Sequence, residues 1–280
     1  MACGLLKVRR MRLLALVLVP AAAACVGNTQ RTVRAPHPGV PLHSGQALAA
    51  PASIGVGLSN VTDVVDPSVG NAKDSVAVPA TQMRNELRFK VGDRASLGVH
   101  YEHGFEATSQ QPDPTQAPVG DGDVRGYGMS TSYAFETGTP GFVIGTMLEL
   151  TVWSVPYAEY SICTNCIEPF VFVDRGRANP MSLGIGVAPS YKSGQLTVFG
   201  GLFARNHPTT RRKEIDDQII LDDEDGDVRD GPRNLLAHAG LEYALSPTVS
   251  ALVLVHQNLV SNPVQYGPGI GVGITAKLGN

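Results

Sequence analysis

No apolar run in this sequence is long enough to cross a membrane as a helix. Such a helix needs about 20 mostly apolar residues to span a hydrocarbon core of roughly 30 Å. The apolar run over residues 13–20 is shorter than that, and no later segment reaches the required length. Conventional membrane helices are therefore excluded.

Charged residues are also scarce, at 17 % of the chain, which is low for a soluble protein. The net charge of −3 gives no reason to expect a nucleic-acid partner. Glycine is abundant instead, with 31 residues against a usual share of about 7 %. This composition predicts a β-rich chain in which backbones approach each other closely.

Catalytic and cofactor motifs are absent. The sequence contains no Gly-x-Ser-x-Gly elbow, zinc-protease helix or phosphate-binding loop. His238 and His256 lack a visible nucleophile partner. The acidic run 222–227 departs from calcium-loop spacing at Leu221 and is interpreted as a solvated loop. We therefore expect no enzyme activity, no cofactor and no metal.

The first 24 residues form a predicted export signal. Four cations, Lys7, Arg9, Arg10 and Arg12, precede the apolar run, and small residues follow it up to Cys25. The stretch Ala22–Ala24 before Cys25 resembles the lipobox of bacterial lipoproteins, although Ala22 stands where leucine is usual. That resemblance implies lipidation of Cys25, whereas ordinary cleavage after Ala24 explains the same alanines.

The remaining cysteines of an exported chain face oxidising conditions. Cys163 and Cys166 are separated by two residues, and a local disulfide is the default expectation for them. A zinc site would need further ligands at suitable spacing, and none follows nearby.

Two regions follow the signal. Residues 25–50 mix Pro, Gly, Ser, Thr and Arg without apolar periodicity, which predicts a flexible linker. From residue 51 to residue 280, alternation with period two dominates, as in Ile270, Val272, Ile274, Ala276 and Leu278. A strand places all five of these residues on one face, whereas a helix would scatter them.

The links between the predicted strands alternate strictly between long and short. Long links near 59–82, 104–123, 156–180 and 206–232 are separated by short turns such as Gly92-Asp93. In an antiparallel meander the short turns then share one end, as in membrane barrels. The sequence predicts an all-β fold, an antiparallel up-and-down membrane-type β-barrel of about ten strands with long loops at one end. An even strand count also leaves both termini at the short-turn end.

The two faces of the predicted strands differ. The apolar face carries aromatic residues suited to membrane interfaces, although an aromatic content of 6 % is thin for this purpose. These residues are Tyr101, Tyr127, Tyr133, Phe135, Tyr191 and Tyr243. The other face is mostly Gly, Ser and Ala, which suits a narrow lumen.

Charged and histidine residues of that second face are expected to point into the lumen. They are Glu86, Arg88, Lys90, His100, Glu102, Glu149, Arg205, His238, Glu242, His256 and Lys277. Both signs of charge are present, so these groups can neutralise one another. They predict either an ion-paired plug or a polar path for a small solute.

Together, the signal, the alternating strands and the unequal links resemble the small outer-membrane β-barrel proteins of Gram-negative bacteria. This resemblance implies the cell outer membrane as location, contact with membrane lipid and lipopolysaccharide, and assembly by the barrel-assembly machinery. The last residues, Leu278-Gly279-Asn280, depart from the terminal aromatic usual in such proteins. Three roles remain open: a structural or surface-interaction barrel, a narrow channel for small polar solutes, and a soluble lipid-anchored barrel that binds an apolar ligand.

Overall fold

The computed structural model describes residues 29–34, 36, 39, 41–62, 64–65, 74–105, 122–162, 170–206, 233–261 and 265–279. Every regular element in these ranges is a β-strand. The strands are β1 (Thr29–Arg34), β2 (Ala52–Val61), β3 (Val64–Val65), β4 (Asp74–Ala77), β5 (Thr81–Lys90), β6 (Ala95–Gly104), β7 (Val124–Glu136), β8 (Phe142–Ile162), β9 (Phe170–Ala178), β10 (Met181–Ser193), β11 (Leu196–Asn206), β12 (Arg233–Ala244), β13 (Val249–Ser261), β14 (Gln265–Tyr266) and β15 (Gly269–Leu278). No helix of the described ranges could span a membrane.

Ten of these strands form a closed antiparallel barrel. Each pairs with the next in the order β2, β5, β6, β7, β8, β10, β11, β12, β13, β15. Pairing of β15 with β2, from Gly269 opposite Val61 to Leu278 opposite Ala52, closes the wall. The predicted fold class and strand number are confirmed.

The short connections between wall strands all lie at one end, as the sequence predicted. They cover residues 91–94, 137–141, 194–195 and 245–248, whereas the connections at the other end are longer. In the turn at 194–195, Gly194 has a φ of 60°, a left-handed conformation that an L side chain rarely adopts. Membrane barrels place short turns on the periplasmic side, so we call this the inner end and the opposite end the outer end.

Side chains of the wall alternate between an exposed outward face and a buried inward face. In β2, Ile54, Val56 and Leu58 point outward and are 46, 49 and 43 % exposed, while Ser53 and Ser59 point inward and are buried. The exposed outward set includes Leu97, Val99, Leu148, Leu150, Ile185, Val253, Val255, Ile270, Val272 and Ile274. A broad apolar exterior of this kind meets lipid, and the chain is an outer-membrane β-barrel.

That exterior also contradicts the soluble-barrel alternative, which requires a charged outer surface. The aromatic residues expected on the apolar face lie there and flank the band. Tyr127 is 60 % exposed and packs against Tyr101 with ring centroids 5.0 Å apart near the outer end. Near the inner end, Tyr133 and Phe135 contact each other at 4.6 Å.

One wall strand is much longer than its neighbours. The 21 residues of β8 form the wall as far as Ser154, which pairs with Arg125 of β7. Beyond that point β8 continues past the outer end, with β9 on one side and β1 on the other. The strand β4 pairs in parallel with β1, which completes a four-stranded outer sheet.

The position of β1 contradicts the expectation that the N-terminal region lies at the inner end. Of the strands β1 and β2, only β2 begins at the inner end. Residues 41–50, the best described part of the predicted linker, lie inside the barrel and connect the outer sheet to the start of β2. A segment enclosed by a polar lumen needs no continuous apolar face. Its sequence therefore shows no apolar periodicity, which is also what a flexible linker shows.

Candidate functional site

The lumen is the candidate site, and its outer half holds a cluster of buried charges. Arg84 of β5 contacts three glutamates: Glu149 at 2.6 Å, Glu102 at 3.3 Å and Glu86 at 3.4 Å. Arg205 of β11 reaches across to Glu102 at 3.1 Å and Glu149 at 3.7 Å. All five side chains are at most 8 % exposed. We call these five residues the charge cluster.

Hydroxyl and aromatic groups surround the charge cluster. Arg205 donates to Thr151 Oγ1 at 2.9 Å and to Ser182 Oγ at 3.2 Å, and its guanidinium lies 4.9 Å from the centre of the Trp153 ring. The Trp153 indole donates to Ser182 Oγ at 2.8 Å. Since buried charges are costly without partners, these contacts hold the cluster in one arrangement.

His100 lies at the edge of the charge cluster but does not form a catalytic constellation. Its Nε2 faces both Thr151 Oγ1 at 2.9 Å and Glu102 Oε1 at 3.6 Å. A nucleophile–base arrangement needs the carboxylate at the other ring nitrogen, and Nδ1 has no hydrogen-bond partner among the described residues. Thr151 is fully buried, so a substrate could not reach its hydroxyl.

The same region contains a set of metal-ligand types. Ligand atoms of His100, Glu102 and Glu149 all lie within 4.8 Å of one another. However, both carboxylates are already paired with Arg84 and Arg205. A divalent cation would have to displace or sit beside these two positive charges. The arrangement therefore favours an ion-pair network over a metal centre.

Below the charge cluster, the N-terminal chain fills the lumen. We call residues 41–50 the lumen segment. Ser44 donates to Glu242 at 2.5 Å, Gln46 donates to Ser190 at 2.8 Å, and His43 Nε2 lies 3.3 Å from the Met147 sulfur. These contacts join the lumen segment to three wall strands, β12, β10 and β8.

Apolar packing holds the lumen segment from one side. A buried cluster on the inward faces of β8, β11, β12 and β13 contacts Leu42. Its members are Met147, Phe199, Phe203, Leu236, Leu252 and Leu254. The sequence did not predict large inward side chains on these strands. In β11 and β13 apolar residues occupy both odd and even positions, so alternation does not show which face points into the lumen.

Glycines of the wall make room for the lumen segment. A Cβ atom on Gly57 would overlap the Leu42 side chain, and one on Gly145 would lie 2.5 Å from the Gly45 carbonyl oxygen. Gly45 itself has a φ of 75°, which favours glycine. Two hollows beside the segment each measure about 20 Å³. This is room for a water molecule but not for an organic solute.

The predicted lumen residues thus fall into four sets. Glu86, Glu102, Glu149 and Arg205 belong to the charge cluster, with His100 at its edge. Arg88 donates to Ser96 and Ser132, and Glu242 accepts from Ser44 and Ser250. His238 and His256 are buried opposite each other on β12 and β13. Lys90 and Lys277 lie at the inner rim, where they contact Asp93 and the Pro247 carbonyl.

Sequence reasoning missed Arg84, which contacts all three glutamates of the charge cluster. It shares the parity of Glu86, Arg88 and Lys90 and lies on the same strand. Extending that alternation two residues upstream would have found it. The predicted lipidation site Cys25, the predicted disulfide Cys163–Cys166 and the acidic run 222–227 lie outside the described residues.

Comparison with solved structures finds other outer-membrane barrels. An outer membrane channel from Pseudomonas putida F1 is 13 % identical, with a TM-score of 0.44 over 85 % of this chain and 99 % of that one. The KdgM porin is 10 % identical, with a TM-score of 0.35 over 81 % of this chain and 99 % of that one. Neisserial surface protein A is 11 % identical, with a TM-score of 0.32 over 82 % of this chain and 98 % of that one.

At these low TM-scores the likenesses carry no argument about function. No protein-family model matches the chain, and no curated protein matches it either. The membrane assignment rests on the closed wall and its apolar exterior.

Proposed function

We propose that this protein is a closed, non-conducting outer-membrane barrel that acts through the surface it presents at its outer end. The observation that carries the proposal is the lumen segment, which lies across the interior and contacts β8, β10 and β12. Above the lumen segment, the charge cluster joins β5, β6, β8 and β11 across the same interior. A solute would have to displace both layers.

The outer sheet is the surface that fits such a role. Strands β9, β8, β1 and β4 extend beyond the barrel wall. On β9, Val171, Phe172 and Val173 are 47, 54 and 53 % exposed. This sheet offers a partner both backbone and apolar contacts, while the two hollows beside the lumen segment measure only about 20 Å³ each.

Lipopolysaccharide is the lipid partner that we propose at the outer rim. Arg125 points outward from the outer end of β7 and is half exposed, and Tyr127 follows it on the same face. A cation just beyond the apolar band suits the phosphate groups of an outer leaflet. Assembly by the barrel-assembly machinery belongs to the same proposal, as does the absence of catalysis.

Conductance in planar bilayers tests the proposal. The purified full-length protein, with folding verified by heat-dependent gel mobility, should give no steady current because the lumen is filled. A variant that begins at Ala50 after the signal lacks the lumen segment but keeps the charge cluster. It should pass small ions between the side chains of the cluster while still excluding larger solutes, provided that its gel mobility shows a folded barrel. Steady channels from the full-length protein would overturn the proposal.

A narrow channel is the second candidate, and one observation favours it. Several buried polar atoms around the charge cluster have no hydrogen-bond partner among the described residues, including Arg84 Nε, Arg205 Nη1 and Gln82 Oε1. Buried polar groups of this kind are commonly satisfied by water, which indicates hydration around the charge cluster. Full-length conductance that rises after substitution of Arg84 or Arg205 would favour this candidate.

A further inference from the structure

The path of residues 29–50 places the start of the exported chain at an unexpected end of the barrel. In β1, Thr29 pairs with Ser161 and Val33 pairs with Tyr157, both on the part of β8 beyond the wall. Since β1 is antiparallel to β8, which runs outward, the chain of β1 descends toward the barrel. Thr29 is thus farther from the membrane than Val33.

The chain continues downward through the lumen. Gly39 lies beside Gln82 and Glu102, which belong to the outer half of β5 and β6. Further along, Ser44 contacts Glu242 and Gln46 contacts Ser190, both near inner-end turns.

The descent ends at the inner end, where the Pro51 carbonyl accepts a hydrogen bond from Lys90 at the end of β5. The strand β2 then turns back outward through the wall. The described residues between 29 and 61 therefore trace a descent from the outer sheet through the lumen and a return along β2 in the wall.

We propose that the mature N-terminus is displayed on the outer side of the membrane, after threading through its own barrel. Cys25 is four residues from Thr29, which allows a reach of at most about 14 Å. A ten-residue wall strand such as β5 rises by about 33 Å. The chain upstream of Thr29 is thus too short to return to the inner leaflet outside or inside the wall.

This inference goes beyond the proposed function and changes the side of the membrane on which a lipid attached to Cys25 would lie. An acyl group on Cys25 would then lie on the outer side of the membrane, next to the outer sheet, and not in the inner leaflet. The expectation that both termini lie at the short-turn end assumed that the N-terminal chain stays where β2 begins. The pairing of β1 with the part of β8 beyond the wall contradicts that assumption.

Threading also constrains assembly. We infer that the wall closes around the lumen segment, because the chain then need not be drawn through a lumen already closed by β15 and β2. The protein would display its N-terminus without any separate export step.

Surface labelling of intact cells tests the proposal. Thr29→Cys is introduced with Cys25→Ser and an ordinary cleavage site, and whole cells are treated with a membrane-impermeant maleimide. The matched control is Thr139→Cys in the inner-end turn, in the same background. Labelled peptides are located by mass spectrometry, which separates these positions from Cys163 and Cys166.

We expect labelling at residue 29 on intact cells and labelling at residue 139 only after permeabilisation, with at least a tenfold difference between the two. Heat-dependent gel mobility verifies that both variants form barrels. A second measurement uses the natural residue 29 and an epitope inserted before it, detected by antibody on intact cells. Labelling and antibody binding at residue 29 only after permeabilisation would overturn the proposal.

Discussion

Arg84 shows how a single side chain organises the lumen. Its guanidinium contacts Glu86, Glu102 and Glu149, and Arg205 completes the pairing of the latter two acids. Taking one member out of a buried ion pair is costly, because the remaining charge keeps its desolvation penalty without its partner. Stability should therefore depend strongly on each of these groups.

We predict that Glu149→Gln destabilises the folded barrel by roughly 3 kcal/mol. The substitution removes the acid closest to Arg84 and leaves Arg205 with Glu102 as its charged partner. Urea unfolding in lipid vesicles, followed by the fluorescence of Trp153, measures the change. Trp153 is the only tryptophan and lies against Arg205, so it reports on the cluster directly.

Glu136→Gln is the matched control for that experiment. Glu136 pairs with Arg94 at 2.7 Å, but both side chains are largely exposed at the inner end. Exposed pairs contribute little because water screens them, so this variant should unfold almost as the natural protein does. If the two substitutions lowered the free energy of unfolding equally, burial of the charge cluster would not matter for stability.

At the scale of elements, the lumen segment determines which glycines the wall requires. Gly145 of β8 faces Gly45, and a methyl group there would lie 2.5 Å from the Gly45 carbonyl oxygen and 2.6 Å from its Cα. By contrast, a methyl group on Gly55 of β2 would have its nearest neighbour at 3.4 Å. Both glycines point inward, but only one of them opposes the segment's backbone.

We predict that Gly145→Ala destabilises the barrel by about 1–3 kcal/mol, the usual cost of overpacking. Gly55→Ala should have little effect, because ordinary van der Waals distances already accommodate the methyl group. The temperature at which the folded band disappears on unboiled gels measures both. If Gly145→Ala matched Gly55→Ala, the lumen segment would not be seated against β8 as described.

At the scale of the whole molecule, the apolar exterior determines how the barrel sits in the membrane. Ile185 lies in the middle of β10 and is 61 % exposed, whereas Leu245 lies in an inner-end turn and is 59 % exposed. The two positions are equally open in the isolated chain. They differ only in their depth within the bilayer.

We predict that Ile185→Lys lowers the free energy of unfolding in lipid vesicles by about 2–4 kcal/mol and that Leu245→Lys lowers it by about 0–1 kcal/mol. A lipid-facing charge is most destabilising at the middle of the bilayer. Reversible urea unfolding in vesicles compares the two. A neutral or stabilising Ile185→Lys would mean that this face meets water. That result would argue against the membrane barrel.

The sequence determined the wall of this protein. Period-two alternation assigned inward and outward faces, as Ile270, Val272 and Ile274 show, and the alternation of link lengths determined the two ends. These signals are local. Each strand carries its own alternation, and in an antiparallel meander each wall strand pairs with the next wall strand along the chain. The same parity placed Glu102 and Arg205 in the lumen before any contact was known.

Only the tertiary structure decided what fills the lumen. Ser44 and Glu242 are 198 residues apart, and no local pattern links them. Leu42 against Gly57 and Gly45 against Gly145 depend on the closed wall bringing distant strands around one segment. Residues 41–50 have the composition of a linker, and enclosure by the barrel, rather than a periodicity of their own, gives them a fixed position.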